Sequence, residues 1–124
     1  MIVGLGVDLA DLGRIGRVHA RFGRRFLEKF LAPRELAGLP SEPRLSLLAG
    51  RFAAKEAAAK ALGTGFSGGI GPCQLEIVIG PSGAPGLVFH GAARERAVQL
   101  GARAAHVSIS HERSHAVAVV VLEA

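Results

Sequence analysis

Two acidic residues occupy positions where the neighbouring side chains are small or apolar. The first, Asp8, ends the apolar segment 2–8, in which Gly4 and Gly6 precede it at alternate positions. Alternate residues of a β-strand share one face, so a strand here has a face nearly bare of side chains, with Asp8 at its end. Such a face allows another backbone to approach closely. An ionised carboxylate at that contact is costly unless it is paired or binds a metal.

The second acidic residue, Glu56, interrupts an apolar row of a predicted helix. The other members of the row follow helical spacing and are Leu45, Leu48, Phe52, Ala59 and Leu62. Alanines surround Glu56 at positions 53, 54, 57, 58 and 61. Side chains this small can pack on the glycine-lined strand, which makes the helix a matching partner for Asp8.

If Asp8 and Glu56 converge, their charges repel each other, and a divalent cation between them removes the repulsion. Mg²⁺ needs few protein oxygens when phosphates and waters complete its octahedron. A structural interpretation stays open beside this one: Asp8 caps a helix N-terminus, and Glu56 pairs with Lys60, four residues further on. Spacing alone does not decide between them.

Arginines recur every three or four residues in the first third of the chain, at Arg14, Arg17, Arg21 and Arg24, with Arg25 beside the last. On one helix they form a single face, called here the arginine stripe, with no acidic residue on it. The chain carries 15 Lys and Arg against 10 Asp and Glu, a net charge of +5. That surplus favours an anionic partner. The stripe is therefore either a solvated face or a docking surface.

Length and composition predict one folded domain, residues 1–124, with 49% apolar residues and six Phe but no Trp or Tyr. The lone Cys73 cannot form an internal disulfide, which suits a reducing cytoplasm. The first residues lack the basic stretch of a signal peptide, and no apolar run approaches the ~20 residues that span a bilayer. We expect a cytoplasmic protein without a membrane partner.

The elements that must hold these residues alternate between helices and strands. Apolar patterning predicts strands at 2–7, 75–79 and 87–89, and a terminal hairpin of 106–111 with 116–122. Helices are predicted at 11–22, capped by Asp11, and at 26–31, 44–62 and 91–100, with Gly63 closing the third. The segment 33–43 is predicted to be mostly connection. The pattern favours an α+β domain, with a mainly antiparallel sheet packed against one long helix.

Three motifs of the chain together resemble a known family. They are Leu5-Gly6-Val7-Asp8, then Phe52-Ala53-Ala54-Lys55-Glu56-Ala57-Ala58-Ala59-Lys60, and His106-Val107-Ser108-Ile109-Ser110-His111. The 43 residues between the first two match the spacing of the phosphopantetheinyl transferase superfamily. The likeness covers the whole chain and is to the short, single-domain bacterial type. Leu5 replaces a usual β-branched residue, and the helix is unusually rich in alanine.

The resemblance implies a fold, a reaction and partners. The fold is that of 4′-phosphopantetheinyl transferases, assembled as a homotrimer with each active site between two subunits. The reaction moves 4′-phosphopantetheine from coenzyme A to a serine hydroxyl of apo acyl carrier protein, in support of fatty acid biosynthesis. Adenosine 3′,5′-bisphosphate leaves. Mg²⁺, held by Asp8 and Glu56, neutralises charge on the phosphates.

The resemblance also suggests roles for residues around the metal motif. Lys60 is expected to be catalytic and to bind phosphate, one turn beyond Glu56. Glu35 falls where short family members carry an acidic residue and is a candidate general base acting through a metal-bound water. An exposed acid that merely starts a helix is an equally open interpretation of Glu35.

Coenzyme A contacts are expected at three further places. Arg51 is predicted to bind the 3′-phosphate, with Lys55 bordering the same patch. The remaining predicted contacts are Gly63, Gly65, His106 and Ser108; we expect His111 and His115 to be structural. The arginine stripe is expected to dock the acidic carrier protein on a helix separate from the metal motif.

Two other functions compete with the transferase. A small basic nucleic-acid-binding domain is compatible with the arginine stripe, but the chain lacks the aromatic platforms of single-strand binders and leaves Asp8 and Glu56 without a purpose. We therefore expect no nucleic-acid partner. A non-catalytic coenzyme A-binding subunit is the second alternative, and turnover with carrier protein excludes it.

Overall fold

A computed structural model describes all residues, 1–124, and contains five helices and five strands. In chain order these are β1 (Ile2–Asp11), α1 (Leu12–Phe22), α2 (Arg24–Phe30), α3 (Pro33–Ala37), α4 (Leu45–Ala61), β2 (Leu75–Ile79), β3 (Pro85–Phe89), α5 (Gly91–Gln99), β4 (Ala104–His111) and β5 (His115–Glu123). A short 3₁₀ turn, Pro72–Gln74, leads into β2. None of the helices combines the length and apolar character needed to cross a membrane.

The strands form two antiparallel sheets. The larger has the order β1-β5-β4, and the smaller consists of β2 and β3. In the larger sheet, Asp8 of β1 lies opposite Ala118 of β5, which on its other side lies opposite Ile109 of β4. The α+β class and the mainly antiparallel sheet predicted from the sequence are confirmed.

The helix α4 lies directly against the glycine-lined face of β1. A Cβ atom added to Gly6 would lie 1.9 Å from the carbonyl oxygen of Ala57, and one added to Gly4 would lie 2.2 Å from that of Ala61. Neither distance leaves room for a side chain, so glycine is required at both positions. The predicted packing of a bare strand on an alanine-rich helix is confirmed, and it places Asp8 beside α4.

This close approach predicts a large effect from one methyl group. Gly6→Ala should lower the free energy of unfolding by about 3 kcal/mol or more, because overpacking against a rigid backbone has no relief through side-chain rotation. Gly71→Ala is the matched control, since Gly71 has an ordinary φ of −128° and no atom within 4 Å of an added Cβ. Thermal melting measures both variants. Equal melting temperatures would contradict this account of the strand–helix contact.

The core surrounds α4, which is buried on most of its circumference. Its alanines at 49, 53, 54, 57, 58 and 59 have no exposed surface. Larger side chains fill the periphery: the rings of Phe26 and Phe30 stack at 4.7 Å, and Phe30 meets Phe52 edge-on at 5.8 Å. The small residues at the centre thus let the backbone of α4 approach that of β1, and the phenylalanines fill the space between α4 and α2.

Two local predictions need correction. The segment 33–43 contains a helix, α3, which begins at Pro33, a residue that a first helical turn accepts readily. The helix predicted from residue 26 begins at Arg24, immediately after Gly23, whose φ of 55° ends α1. Other predictions are confirmed: Asp11 accepts a hydrogen bond from the Arg14 N–H at 3.0 Å and caps α1, and Gly63, with φ 78°, follows α4.

Candidate active site

Asp8 and Lys60 meet where β1 crosses α4. The Lys60 Nζ donates hydrogen bonds to the Asp8 Oδ1 at 3.1 Å and to the Val7 carbonyl oxygen at 3.0 Å. The contact follows from the glycine face, because Gly4 and Gly6 let the last turn of α4 come down on the strand that carries Asp8. The Lys60 side chain remains 53% exposed. Its ammonium is therefore accessible to an anion from solvent.

Glu56 lies half-buried one helical turn before Lys60. Burial raises the pKa of the Glu56 carboxyl, and the negative charge of Asp8 raises this pKa further, against the opposing charges of Lys60 and Arg14. Asp8 and Glu56 are thus close enough to repel, which is the condition that the metal interpretation requires. The structural interpretation of the two acids is wrong: Asp11, not Asp8, caps α1, and no ion pair joins Glu56 to Lys60.

The donor set at this point fits a hard divalent cation with few protein ligands. No cluster of three or more His, Cys, Asp or Glu side chains suitable for a metal occurs in the chain. The carboxylates of Asp8 and Glu56 offer oxygen ligands only, which suit Mg²⁺ and leave most of its coordination to water and phosphate. A structural zinc site needs four protein ligands and is not compatible with this pair.

Arg51 lies on the far side of α4 from Glu56. The two are five residues apart, so at 3.6 residues per turn their side chains diverge by about 140°. Arg51 borders a cleft of about 400 Å³ together with Arg44 and His111. The floor of this cleft is partly apolar and includes Ile77, Pro85 and Ile109.

Two of these residues were not predicted from the sequence to belong to a site. His111 was expected to be structural, but it lies at the cleft with Arg51. Arg44 was not considered, although it precedes Arg51 by seven residues, or two helical turns. Arg44 immediately precedes α4, and its position next to the helix that carries Arg51 is the signal that could have found it.

Lys55 does not lie on the surface near Arg51, so its predicted role as a coenzyme A contact is wrong. Its side chain is 1% exposed, and its Nζ donates to the Glu35 Oε1 at 2.6 Å and to the carbonyl oxygens of Pro72 and Leu75 at 2.9 and 2.8 Å. All three ammonium hydrogens are therefore used inside the protein. Burial lowers the pKa of Lys55, while the charge of Glu35 counteracts this shift.

Glu35 requires the same correction. It is buried, so it is not the exposed helix-starting acid of one interpretation. Its Oε1 accepts hydrogen bonds from Lys55 and from the Ala32 N–H at 3.1 Å, on the side of α4 away from Glu56. A carboxylate that neutralises a buried lysine is not free to take a proton from a substrate. The prediction that Glu35 is the general base is contradicted.

Gly63 and Gly65 lie directly after the last turn of α4, with φ values of 78° and 59°. The Gly63 N–H donates to the Lys60 carbonyl oxygen at 2.9 Å, and the Gly65 N–H donates to that of Ala59 at 3.1 Å. Residues with side chains rarely adopt such φ values. The two glycines thus set the path of the loop beside Lys60, and their contact with coenzyme A stays a prediction.

His106 and Ser108 share one exposed face of β4, as alternation predicted, but it is not the face of Asp8. Register pairs Asp8 with Ala118 and Ser108 with Val119, and adjacent residues of β5 point to opposite faces. His106 and Ser108 thus lie on the face of the sheet opposite to Glu56 and Lys60. Their face continues into the apolar side chains of Leu5, Val7, Leu9 and Val119, which are all exposed.

The arginine stripe is shorter than predicted. Arg14, Arg17 and Arg21 are exposed on α1, whereas Arg24 belongs to α2 and pairs with Glu28 at 3.0 Å. Arg24 is therefore neutralised by an acid that the stripe was expected to lack. The stripe is also not fully separate from the metal motif, because the charge of Arg14 acts on Glu56.

An apolar notch lies beside the remaining arginines. It encloses about 240 Å³ between α1 and α2 and is bordered by Val18, Phe22, Arg25, Phe26 and Lys29. The Arg21 guanidinium lies 5.2 Å from the centre of the Phe22 ring, within range of a cation–π contact. This part of the surface combines exposed aromatic groups with unpaired positive charge.

Comparison with known proteins assigns the family from sequence and structure alike. A family model for the 4′-phosphopantetheinyl transferase superfamily matches residues 4–120. The holo-(acyl-carrier-protein) synthase of Desulfovibrio desulfuricans is 60% identical over 124 residues, which cover 100% of this chain and 99% of that protein.

Solved structures of similar proteins indicate the same family. The holo-(acyl-carrier-protein) synthase of Neisseria meningitidis superposes with a TM-score of 0.92 at 36% identity and covers 100% of both chains. That of Helicobacter pylori, in complex with coenzyme A, has a TM-score of 0.84 at 33% identity and covers 96% of this chain and 99% of its own. The present chain therefore belongs to the 4′-phosphopantetheinyl transferase superfamily, among the holo-(acyl-carrier-protein) synthases.

Proposed function

We propose that this enzyme transfers 4′-phosphopantetheine from coenzyme A to a serine hydroxyl of apo acyl carrier protein, releasing adenosine 3′,5′-bisphosphate. The observation that carries the proposal is the meeting of Asp8, Glu56 and Lys60 at the contact of β1 and α4. Two repelling carboxylates beside an exposed ammonium form a site for a metal and a phosphate. The coenzyme A complex of the similar Helicobacter pylori enzyme supports the identity of the donor.

Mass spectrometry tests this function directly. Apo carrier protein incubated with coenzyme A, Mg²⁺ and the enzyme should gain about 340 Da, one phosphopantetheinyl group on a serine. A chain that only binds coenzyme A leaves the carrier mass unchanged. Omission of either Mg²⁺ or the enzyme is the control for spontaneous modification.

The chemistry at the site follows from its charges. Asp8 and Glu56 would hold Mg²⁺, which when bound offsets the negative charge of the coenzyme A pyrophosphate. The Lys60 side chain is accessible from solvent beside Asp8, so its ammonium is available for a pyrophosphate oxygen. A fixed cation at this position stabilises the charge that grows on the departing phosphate.

A second subsite would hold the adenosine end of coenzyme A. The cleft beside Arg51 carries Arg44 and His111 at its edge and apolar side chains at its floor. Two guanidinium groups match the 3′-phosphate, which arginine binds through paired hydrogen bonds. The apolar floor suits the flat adenine ring. This assignment keeps the predicted role of Arg51 and adds Arg44 and His111 to it.

The positions of the two subsites support an active site shared between protomers. Within one chain, Glu56 and Arg51 lie on opposite sides of α4, and Asp8 and His106 lie on opposite faces of the sheet. One ligand molecule cannot reach both members of either pair without passing around an element of the core. We propose a homotrimer in which one protomer holds the metal motif and its neighbour holds Arg51. His106 lies across the sheet from Arg51 as well, so its contact with coenzyme A stays a separate prediction.

The exposed apolar face formed by Leu5, Val7, Leu9 and Val119 is the surface that such a trimer would bury. These side chains lie beside one another on β1 and β5, with Val7 opposite Val119. Contiguous apolar surface of this kind is unusual on a soluble monomer. A closed ring of three copies would use the same interface three times.

We further propose that the carrier protein is the anionic partner that the net charge of +5 favours. Arg14, Arg17 and Arg21 would steer its acidic surface, and the notch between Phe22 and Phe26 would receive an apolar side chain. A cytoplasmic location and a role in fatty acid biosynthesis complete the proposal, and the free thiol of Cys73 is compatible with that compartment.

Reversal of charge on α1 should weaken carrier docking without changing coenzyme A affinity. We expect Arg17→Glu/Arg21→Glu to raise the KM for carrier protein about tenfold, because exposed charges act mainly through steering and orientation. Arg14 is left unchanged, since its charge reaches Glu56. The wild-type KM should rise with ionic strength, and the double reversal should flatten that dependence.

The control for this experiment is Arg94→Glu, which reverses an exposed arginine on α5. It changes the net charge by the same step as one reversal on α1, but Arg94 borders a different cleft from the notch. If Arg94→Glu raises the carrier KM as much as one reversal on α1, net charge rather than a docking surface is responsible. An unchanged KM in the double variant would mean that the carrier docks elsewhere.

A further inference from the structure

A buried group of three charges links α3 to α4. Glu35 lies between two cations: its Oε1 is 2.6 Å from the Lys55 Nζ, and its Oε2 is 3.7 Å from the Arg51 Nη1. The side chains of Glu35 and Lys55 are each 1% exposed and that of Arg51 is 14% exposed. Removal of charges from water on this scale is costly, so such a cluster needs a compensating purpose or excellent pairing.

The pairing in this group is incomplete at one atom. The Glu35 Oε2 is buried and has no hydrogen-bond partner, and it is the only side-chain polar atom of the chain in that condition. Lys55 cannot serve it, because the three donors of Lys55 are used by Glu35, Pro72 and Leu75. The Arg51 Nη1 lies 3.7 Å from this oxygen, within ion-pair distance. The Glu35 Oε2, which accepts no hydrogen bond, therefore attracts the Arg51 guanidinium electrostatically.

Charge balance explains why a lysine is buried beside this pair. A carboxylate next to Arg51 alone would cancel the guanidinium charge and weaken its attraction for an anion. With Lys55 neutralising Glu35, the group keeps a net charge of +1, and Arg51 remains both oriented and positive. A side chain that is oriented before the ligand arrives loses less freedom on binding.

We propose that Glu35 is a positioning residue: with Lys55 as its counter-charge, it holds the Arg51 guanidinium toward the cleft for the 3′-phosphate of coenzyme A. This inference rests on the proposed function, since it takes the 3′-phosphate as the ligand of Arg51. It gives Glu35 and Lys55 a role in recognition of the donor, in place of the base and the direct contact predicted from sequence.

The decisive variant is Glu35→Gln/Lys55→Met, which removes both buried charges and leaves the net charge of the group at +1. Any loss of affinity then reports orientation and not a change in electrostatic attraction. We expect the calorimetric Kd for coenzyme A to rise about tenfold, equivalent to 1.4 kcal/mol. The Kd for dephospho-coenzyme A, which lacks the 3′-phosphate, should stay within twofold of wild type. In turnover, the KM for coenzyme A should rise while kcat changes little.

Glu76→Gln is the matched control, because Glu76 is also buried and borders a cleft with Glu35 and Arg51 but pairs with Arg34 at 2.8 Å. It should lower the melting temperature without changing the ratio of the two Kd values. A similar change of ratio in Glu76→Gln would overturn the proposal, as would an unchanged coenzyme A Kd or an equal loss for both ligands in the double variant.

Glu35→Asp covers the case in which the double variant does not fold. It keeps the charge beside Lys55 but withdraws the carboxylate from Arg51, so it should show the same selective loss for coenzyme A to a smaller extent. Equal Kd ratios in Glu35→Asp and wild type would refute the positioning role. Calorimetry does not require turnover, so these outcomes are distinguishable from a failure of the carrier protein to gain mass.

Discussion

Asp8→Ala and Glu56→Ala are each expected to abolish transfer while the chain still folds. Both carboxylates are assigned to the metal that offsets charge on the pyrophosphate, and neither belongs to the apolar core. We expect at least a hundredfold loss of kcat/KM for either variant, or about 2.7 kcal/mol of transition-state stabilisation. Turnover with carrier protein, measured beside thermal melting, separates lost chemistry from lost structure.

Removal of the Glu56 charge, which should abolish activity, should not lower the stability of the fold. Its pKa is raised above 4.5 in the folded chain, so the folded state binds this proton more tightly than the unfolded state does. The stability that this group contributes is present below pH 4.5 and is lost as pH rises through the raised pKa. At neutral pH without metal, Glu56→Gln should therefore melt no lower than wild type, and added Mg²⁺ should stabilise only the wild type.

Glu95→Ala is the control, since Glu95 is an exposed acid on α5 that forms no ion pair. It should keep wild-type turnover and the wild-type response to Mg²⁺. If Asp8→Ala or Glu56→Ala retains more than about a tenth of wild-type activity, or ~1.4 kcal/mol, the metal assignment is wrong. A metal-induced rise in melting temperature that persists in both variants would point to a different metal site.

The convergence of Asp8 with α4 was predictable because it depends on alternation within one strand and on the size of side chains in one helix. Gly4 and Gly6 are visible in the sequence as an unusual gap, and the alanines of α4 as its complement. Both patterns are local, and their contact follows from the backbone approach that they permit. The fold class and the placement of Asp8 beside α4 therefore follow from local sequence patterns.

The burial of individual side chains and the order of the strands in the sheet could not be predicted from the sequence in the same way. Helical spacing correctly placed Lys55 on the side of Arg51, but burial of Lys55 depends on α3 and on the carbonyl oxygens of Pro72 and Leu75. Alternation correctly paired His106 with Ser108, but their position relative to Asp8 depends on β5 lying between β1 and β4. Both depend on contacts between segments distant in the sequence, which the pattern of one segment does not predict.

Because the two halves of the proposed site lie apart in one chain, two inactive variants should restore each other. Asp8→Ala lacks a ligand of the metal motif, and Arg51→Ala lacks the 3′-phosphate contact. In a ring where each site joins the Asp8 of one protomer to the Arg51 of the next, every mixed trimer contains one site with both residues intact. Equal, random mixing should thus restore about a quarter of wild-type activity, and mixed trimers purified away from the parents about a third.

The measurement uses chains with different tags, produced together and purified through both tags so that only mixed oligomers remain. Turnover is assayed at a coenzyme A concentration well below the KM of Arg51→Ala, where each parent is nearly inactive. The control pairs Asp8→Ala with Glu56→Ala, which damage the same half of the site and should not complement. Light scattering should return a trimer for every sample. A mixture no more active than its parents would place the whole site within one chain, and Arg51 would then have to reach its phosphate around α4, against the separation of about 140° that the helix imposes.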